Sequence, residues 1–309
     1  MHEINELRQM LLTTDELVGR GMSSQLLSRS VASGELVRLR PGFYVPGTAK
    51  ELPRESRHLL SVLAADAALG SPVFSHSSAA LVHGLPGWGL PLGRVTTSAA
   101  GDKGRSRTSR LVTHHTVGLD EEEVTRVDGL QVTTPARTVV DVALSTGRDA
   151  AVSVADAARH RGLVTDPDVE LALQQASGRM GIRKARSALG LVDHRSESVA
   201  ETLSRLTFID HGLPTPETQA NIFDTHGNRI ARVDFLWREF GVIGECDGFG
   251  KYFDGADGFE LRRRLAREKD RDAELLALGY RVLHWRWADL EQPRLLAERI
   301  RRVLYPAAA

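Results

Sequence analysis

Apolar residues recur along this chain in two patterns, one typical of helices and one typical of strands. Helical spacing is found over residues 4–12, 15–20, 23–33, 55–69, 149–161, 167–175 and 196–206. Short apolar runs rich in β-branched and aromatic residues, which are typical of strands, cover residues 36–40, 43–45, 95–97, 218–223, 231–237 and 242–247. The two patterns predict a mixed α/β (α+β) chain.

The first fifty residues combine three short predicted helices with a basic hairpin. We expect Thr14 to cap the second helix, the third helix to run from Ser24 to Gly34, and residues 41–42 to form the hairpin turn. This order predicts a winged helix-turn-helix, whose last helix enters the major groove of DNA while the wing touches the backbone. The alternative is a small helical cap whose charges are merely solvated. The residues expected to contact DNA are Ser24, Gln25, Arg29, Arg38 and Arg40.

The last two strand-like runs are separated by four residues ending in Gly241, which predicts a β-hairpin. In the register of that hairpin Trp237 faces Val242, and Asp234 lies directly opposite Glu245. Like charges in opposed positions on neighbouring strands are destabilising. At an effective dielectric near 20 the repulsion is on the order of 3 kcal/mol. We therefore expect another group to offset this repulsion.

A third carboxylate joins this pair, because the alternation of side chains along a strand puts Asp247 on the same face as Glu245. A divalent cation with oxygen ligands, Mg²⁺ or Mn²⁺, is the simplest group that would neutralise three converging carboxylates. The alternative is a solvated sheet face whose carboxylates pair with arginines such as Arg232 or Arg238.

Composition and charge narrow the picture only slightly. The 309 residues carry 40 basic and 40 acidic side chains, so any affinity for nucleic acid must come from local basic clusters. The single cysteine, Cys246, excludes an internal disulfide, and we expect it to pack as a small apolar residue. His76 with His83, and His114 with His115, lack the arrangement of a metal site and are predicted to be structural. Without a signal peptide or an apolar run of spanning length, we expect a cytoplasmic protein.

The second half of the chain resembles a known nuclease family. Asp234 on one strand, Glu-x-Asp-Gly at residues 245–248 on the next, and Lys251 in the loop that follows are similar to the core of the PD-(D/E)XK nucleases. The residues are similar in particular to the very-short-patch-repair-like proteins of bacteria that carry a Glu-x-Asp-Gly motif. Residues 268–287 also resemble the closing helix and strand of those proteins.

This resemblance implies a restriction-endonuclease-like fold and metal-dependent hydrolysis of DNA phosphodiesters. According to this resemblance, Asp234 and Glu245 hold Mg²⁺ or Mn²⁺. Glu201 matches the first acidic residue of the family, and Lys251 supplies an ammonium group. The chain departs from the family where a lysine is expected, because that position is Asp247. The alternative is therefore a degenerate, non-catalytic fold that serves a DNA-binding repressor.

The first half of the chain resembles AbiEi-type antitoxins, the antitoxin half of a type IV toxin–antitoxin system. The similarity covers the predicted winged helix and the stretches 74–86 and 132–141. The resemblance implies an autoregulating, DNA-binding module. It also suggests a cognate toxin as a partner. Four segments follow: a winged helix at residues 1–50, an antitoxin-like mixed α/β region at 51–145, a helical connector at 146–191, and a PD-(D/E)XK-like domain at 192–309.

Overall fold

The computed structural model describes residues 4–99, 107–224, 226–247, 263 and 271–306. The chain divides into two compact units, Met1–Val192 and Asp193–Ala309. We call them unit 1 and unit 2 and describe each by itself.

Unit 1 begins with a winged-helix-like arrangement. Its elements are α1 (Ile4–Gln9), β1 (Leu12–Thr13), α2 (Thr14–Gly19), α3 (Ser24–Ser33), β2 (Leu36–Arg40) and β3 (Phe43–Pro46). The three strands form an antiparallel sheet in the order β1-β3-β2. Leu17, Leu27, Leu36 and Tyr44 bury their side chains together between the helices and this sheet. The predicted helices and basic hairpin are thus confirmed.

Two details at the N-terminus differ from the prediction. The first helix ends at Gln9 rather than at residue 12, because Leu12 pairs with Tyr44 as a short strand. The cap of the second helix is Thr13 rather than Thr14. Thr13 Oγ1 accepts the backbone N–H of Glu16, while the Glu16 carboxylate accepts the N–H of Thr13, which is a capping box.

The rest of unit 1 is a six-stranded mixed sheet with helices. It contains α4 (Arg54–Leu69), β4 (Val73–Phe74), α5 (His76–Val82), β5 (Val95–Ala99), β6 (Arg107–Thr108), β7 (Val112–Thr116), β8 (Val124–Val127), β9 (Leu130–Thr133), α6 (Pro135–Ser145), α7 (Arg148–His160), α8 (Asp166–Gln175) and α9 (Ile182–Leu189). The strand order is β6-β7-β5-β4-β9-β8. Pro135 occupies the first turn of α6, where its missing N–H costs nothing.

Unit 2 is built on a four-stranded mixed sheet. Its elements are α10 (Val199–Asp210), β10 (Glu217–Phe223), β11 (Arg229–Trp237), β12 (Val242–Asp247), α11 (described over 271–277), β13 (Arg281–Arg286), α12 (Trp287–Leu290) and α13 (Pro293–Leu304). The order is β10-β11-β12-β13, antiparallel except that β13 runs parallel to β12. The N-cap of α10 is Ser198, whose Oγ accepts the N–H of Glu201, and not the predicted Ser196.

Unit 2 contains two apolar clusters. In the larger one the aromatic rings of Phe208, Phe235, Trp237 and Trp285 pack together with α13. The smaller cluster includes Val233, Leu236, Ile243 and Leu275. Both tryptophan rings are held by hydrogen bonds from their indole N–H groups, to the Pro214 carbonyl at 2.7 Å and to Ser204 Oγ at 2.8 Å.

Within the part of the chain that the structure describes, no helix has the length and apolar character needed to cross a membrane.

We predict that Gly244→Ala destabilises unit 2 by about 1–3 kcal/mol, the usual cost of overpacking a core. A Cβ at this position would lie 2.5 Å from Trp285 Cη2 and 3.0 Å from Trp237 Cζ3, and the two hydrogen-bonded rings cannot move away easily. Chemical denaturation followed by tryptophan fluorescence measures the effect. Gly118→Ala is the matched control, because no atom lies within 4 Å of its added Cβ. Equal stability of the two variants would contradict the prediction.

Candidate functional site

The exposed face of α3 carries the residues predicted to reach DNA. Ser24, Gln25 and Arg29 are all exposed, whereas Leu27 and Ser30 point into the core. Gln25 and Arg29 are four residues apart, so their side chains lie on the same face of the helix, one turn apart. The fold therefore presents a polar, cationic helix face to the outside.

The hairpin formed by β2 and β3 carries the other two predicted residues. Arg38 is exposed and Arg40 is half-buried. Among the residues that the structure describes, neither guanidinium forms a hydrogen bond or an ion pair. Burial without a counter-charge lowers the pKa of Arg40 from its usual value.

In unit 2 the structure brings Asp234 and Glu245 together at the end of the β11–β12 ladder. Trp237 pairs with Val242 as predicted, and Phe235 pairs with Gly244. Continued by one residue, this register aligns Asp234 with Glu245. Asp234 Oδ2 also accepts the backbone N–H of Cys246 at 2.8 Å, so its carboxylate is fixed against β12.

Gln219, which nothing in the sequence pattern singled out, links the neighbouring carboxylates. Its Nε2 donates to Glu201 Oε2 at 2.8 Å and lies 3.3 Å from Asp234 Oδ1. Its φ is +53°, a conformation that costs a non-glycine residue free energy and that clusters at functional sites. Only the fold shows that this amide lies between two acids.

Glu201 is buried at the first turn of α10, although the apolar stripe of the helix did not require this. Besides Gln219, its carboxylate accepts the N–H of Glu197 at 3.0 Å and the hydroxyl of Ser198 at 2.8 Å. Burial raises its pKa, and the nearby charge of Asp234 adds to the effect. Arg205, one turn further along α10, donates from its Nε to Ser196 Oγ at 3.4 Å.

Glu245 is the most perturbed carboxyl of the cluster. It is 7% exposed, and its Oε1 has no hydrogen-bond partner among the described residues. Burial, followed by repulsion from Asp234, raises its pKa to about 7, although Arg271 and His284 act in the opposite direction. Arg271 Nη2 lies 3.5 Å from Oε1. A carboxyl with this pKa exchanges its proton near neutral pH.

Asp247 is paired with a cation rather than with another carboxylate. His284 Nδ1 lies 3.7 Å from Asp247 Oδ1, and its Nε2 lies 3.0 Å from Asp272 Oδ2. The interaction with Asp247, assisted by the charge of Asp272, raises the pKa of His284 to about 9, so the imidazolium form is present at neutral pH. The positive charge of His284 offsets part of the negative charge of Asp247.

The arginines that we considered as alternative partners for these carboxylates pair elsewhere. Arg232 binds Glu197 at 2.7 Å, and Arg238 binds Glu217 at 2.6 Å. Among the residues with described positions, Arg271 and His284 are cations next to the cluster. Lys251 lies outside the described residues.

The donors of this cluster suit a hard cation. All are carboxylate oxygens, and the buried Glu245 Oε1 lacks a hydrogen-bond donor within the described residues. Among those same residues, no group of three or more histidine, cysteine, aspartate or glutamate side chains is arranged to hold a metal ion. Mg²⁺ is commonly held by only one or two carboxylates together with water and substrate phosphates. Asp234 and Glu245 therefore fit such a site chemically.

The remaining candidates have structural partners. His83 Nε2 lies 2.8 Å from the Thr133 carbonyl oxygen, and the rings of His76 and His115 stack at 4.1 Å. Burial lowers the pKa of His76 to about 4, so this ring is neutral. Cys246 is buried in the aromatic cluster, and burial raises the pKa of its thiol to about 12, which removes it as a nucleophile at neutral pH.

Comparisons with known proteins support the antitoxin-type assignment of the N-terminus and show relatives that match most of the chain. The sequence model described as "Transcriptional regulator, AbiEi antitoxin" matches residues 3–47. The uncharacterized protein MT2308 of Mycobacterium tuberculosis strain CDC 1551 is 33% identical over 287 residues, which cover 92% of this chain and 97% of that protein. The uncharacterized protein Rv2248 of strain H37Rv matches with the same identity and coverage.

We predict that Glu245→Gln removes a pH dependence of stability from unit 2. Since the folded pKa of Glu245 is raised from 4.5 to about 7, the folded state keeps a proton that the unfolded state has lost. Wild-type stability should therefore fall as the pH rises through this window, and the variant should gain on the order of 3 kcal/mol relative to it. Denaturation at pH 4 and pH 8 measures this. Glu239→Gln, at an exposed site, is the control, and parallel pH profiles for wild type and Glu245→Gln would refute the shift.

Proposed function

We propose a DNA-binding regulatory function for this chain, which belongs to the family of the Mycobacterium tuberculosis proteins MT2308 and Rv2248 and whose N-terminal domain is of the AbiEi antitoxin type. The observation that carries the proposal is the exposed face of α3 with Gln25 and Arg29, next to the arginine-bearing hairpin. The chain would repress transcription by occupying an operator.

The physical chemistry of this surface supports the assignment. Gln25 has the donor and acceptor that recognise adenine in the major groove, and Arg29 has the paired donors that recognise guanine or a phosphate. Arg38 and Arg40 lie on the hairpin, where they would neutralise backbone phosphates and fix the register of the helix. Since the net charge of the chain is zero, this local cluster supplies the attraction.

A cognate toxin is part of the proposal, since antitoxins of this type act together with one. The chain would then have two roles, repression of its own operon and control of the toxin. Only the first role draws on the surface described above.

We predict that Arg29→Ala and Gln25→Ala each weaken binding to the DNA upstream of the gene about tenfold or more, as expected for loss of a base-contacting side chain. Fluorescence anisotropy with labelled duplexes at fixed salt measures the affinity. Arg126→Ala is the control, because Arg126 is exposed on β8 at the far edge of the larger sheet. If the wild type prefers no sequence from its own upstream region over random DNA, the regulatory function is wrong.

A second candidate function rests on the carboxylates of unit 2, where we propose metal-dependent hydrolysis of DNA phosphodiesters. The buried Oε1 of Glu245, which has no hydrogen-bond partner among the described residues, favours it. The order of elements, one helix, three strands, one helix and a parallel fourth strand, is consistent with the resemblance to PD-(D/E)XK nucleases. A bound Mg²⁺ or Mn²⁺ would polarise the phosphoryl group and acidify a water molecule.

The protein's own groups would prepare this site. Asp234 and Glu245 would hold the cation, and Gln219 would keep Glu201 and Asp234 in place by donating to both. Because Glu245 has a pKa near 7, metal binding would displace a proton and would strengthen as the pH rises. Asp247, at the position of the family lysine, faces the His284 cation, which favours the non-catalytic regulator as the first proposal. The ammonium group of Lys251 would stabilise the charge that develops during cleavage, as the resemblance implies.

We predict that wild-type protein binds Mn²⁺ in a calorimetric titration and that both Asp234→Ala and Glu245→Ala abolish the heat of binding. Glu239→Ala, an exposed acid on the turn after β11, is the control and should bind as the wild type does. A plasmid-nicking assay on the same samples tests for cleavage. Heat from the wild type that persists in both cluster variants would place the ion elsewhere and would exclude this site.

A further inference from the structure

We propose that Arg40 of the hairpin and Arg94, directly before β5, together bind one phosphate of the DNA backbone. This inference rests on the proposed DNA-binding function and extends it, because Arg94 lies outside the winged-helix arrangement. The contact between protein and DNA would then continue from the hairpin to the start of β5, an inner strand of the larger sheet of unit 1.

The two arginines line the same small cleft. Its volume is about 50 Å³, and its other walls include His58 and Ser61 of α4 together with Leu92 and Leu111. The helix α4 packs against both β2 and β5, which brings the end of the hairpin next to the start of β5. Arg40 is the last residue of β2, directly before the turn of the hairpin.

Within the described part of the chain, the positive charge of this cleft has no acidic counter-charge. No acidic side chain is among its lining residues, and neither Arg40 nor Arg94 forms a hydrogen bond or ion pair with any other residue that the structure describes. Since a half-buried guanidinium without a partner is unfavourable, an anion from outside the chain would stabilise it.

His58 cannot supply further charge. Its Nδ1 lies 2.9 Å from the Leu92 carbonyl oxygen and its Nε2 lies 2.9 Å from Ser78 Oγ, so both ring nitrogens have partners within the protein. Burial also lowers the pKa of His58, which favours the neutral ring. The anion would therefore be held by the two arginines alone.

The size of the cleft selects the ligand. Clefts for drug-sized molecules have volumes of roughly 300–1,000 Å³, and this one is far smaller. The two guanidinium groups have donors of the geometry that suits phosphate oxygens. A free phosphate ion has the same chemistry, but the position beside the hairpin favours a backbone phosphate of the bound duplex.

The test measures how the affinity of the full chain for a short random-sequence duplex depends on salt, from about 50 to 200 mM. Each phosphate contact contributes about one to the slope of log affinity against log salt. We expect Arg40→Gln and Arg94→Gln each to lower that slope by at most about one, because the remaining arginine can still contact the phosphate. The double variant should lose about one rather than two, because both arginines hold the same phosphate. Arg94→Lys should keep nearly the wild-type slope, and Arg126→Gln, at the far edge of the sheet, should change nothing.

The outcomes separate this inference from the proposed function. If the wild type binds DNA and the Arg40→Gln/Arg94→Gln double variant binds with the wild-type slope, the shared phosphate site is wrong while the regulatory function stands. Additive losses in the double variant would mean separate contacts and would also overturn it. If the wild type binds no DNA, the proposed function itself fails. A calorimetric titration with inorganic phosphate is the last arm, since phosphate binding by the two arginines without any change in DNA affinity would assign the cleft to a free ion.

Discussion

The central constraint in unit 2 is the repulsion between carboxylates held close together on a largely buried sheet. Asp234 and Glu245 are brought together by the same ladder that buries the aromatic cluster, so neither can move away without breaking the sheet. The protein offsets the repulsion with several weaker interactions. Gln219 donates to Glu201 and Asp234, the N–H of Cys246 binds Asp234, and Arg271 lies beside Glu245. Burial, together with the repulsion that remains, raises the pKa of Glu245 to about 7.

A buried cation in unit 1 shows how complete such compensation can be. Arg137 is buried, and it contacts Glu123 at 2.7 Å and Asp141 at 3.0 Å, so its charge is met within the fold. The fully buried Asp141 also forms an ion pair with Arg179, whose Nη1 lies 2.8 Å from Asp141 Oδ1. Despite the cost of its own burial, these positive neighbours lower the pKa of Asp141, which keeps its charge. Against this background, the half-buried Arg40 without an acidic partner among the described residues stands out as a group whose counter-ion comes from outside.

Local sequence rules predicted most of the elements that carry both candidate surfaces. The order of three helices and a hairpin came from apolar spacing and turn residues, and the register that pairs Trp237 with Val242 came from the length of a turn. The errors were at element boundaries. Leu12 lies outside the first helix because its long-range pairing with Tyr44 outweighs its helical spacing. Ser198 rather than Ser196 caps α10. The first error is a contest between local preference and a contact distant in sequence, which a periodicity cannot judge, and the second is a choice between two nearby serines at a helix end.

The sequence by itself determined the polar face of α3, the arginines of the hairpin and the opposition of Asp234 and Glu245, because each follows from the spacing of residues within one helix or one hairpin. Only the tertiary structure decided that Gln219 lies between two acids, that His284 pairs with Asp247, and that Arg94 shares a cleft with Arg40. These contacts join residues on separate elements. Their distances depend on how whole strands and helices pack. Apolar periodicity shows which face of an element is buried, but it does not show which other element covers that face.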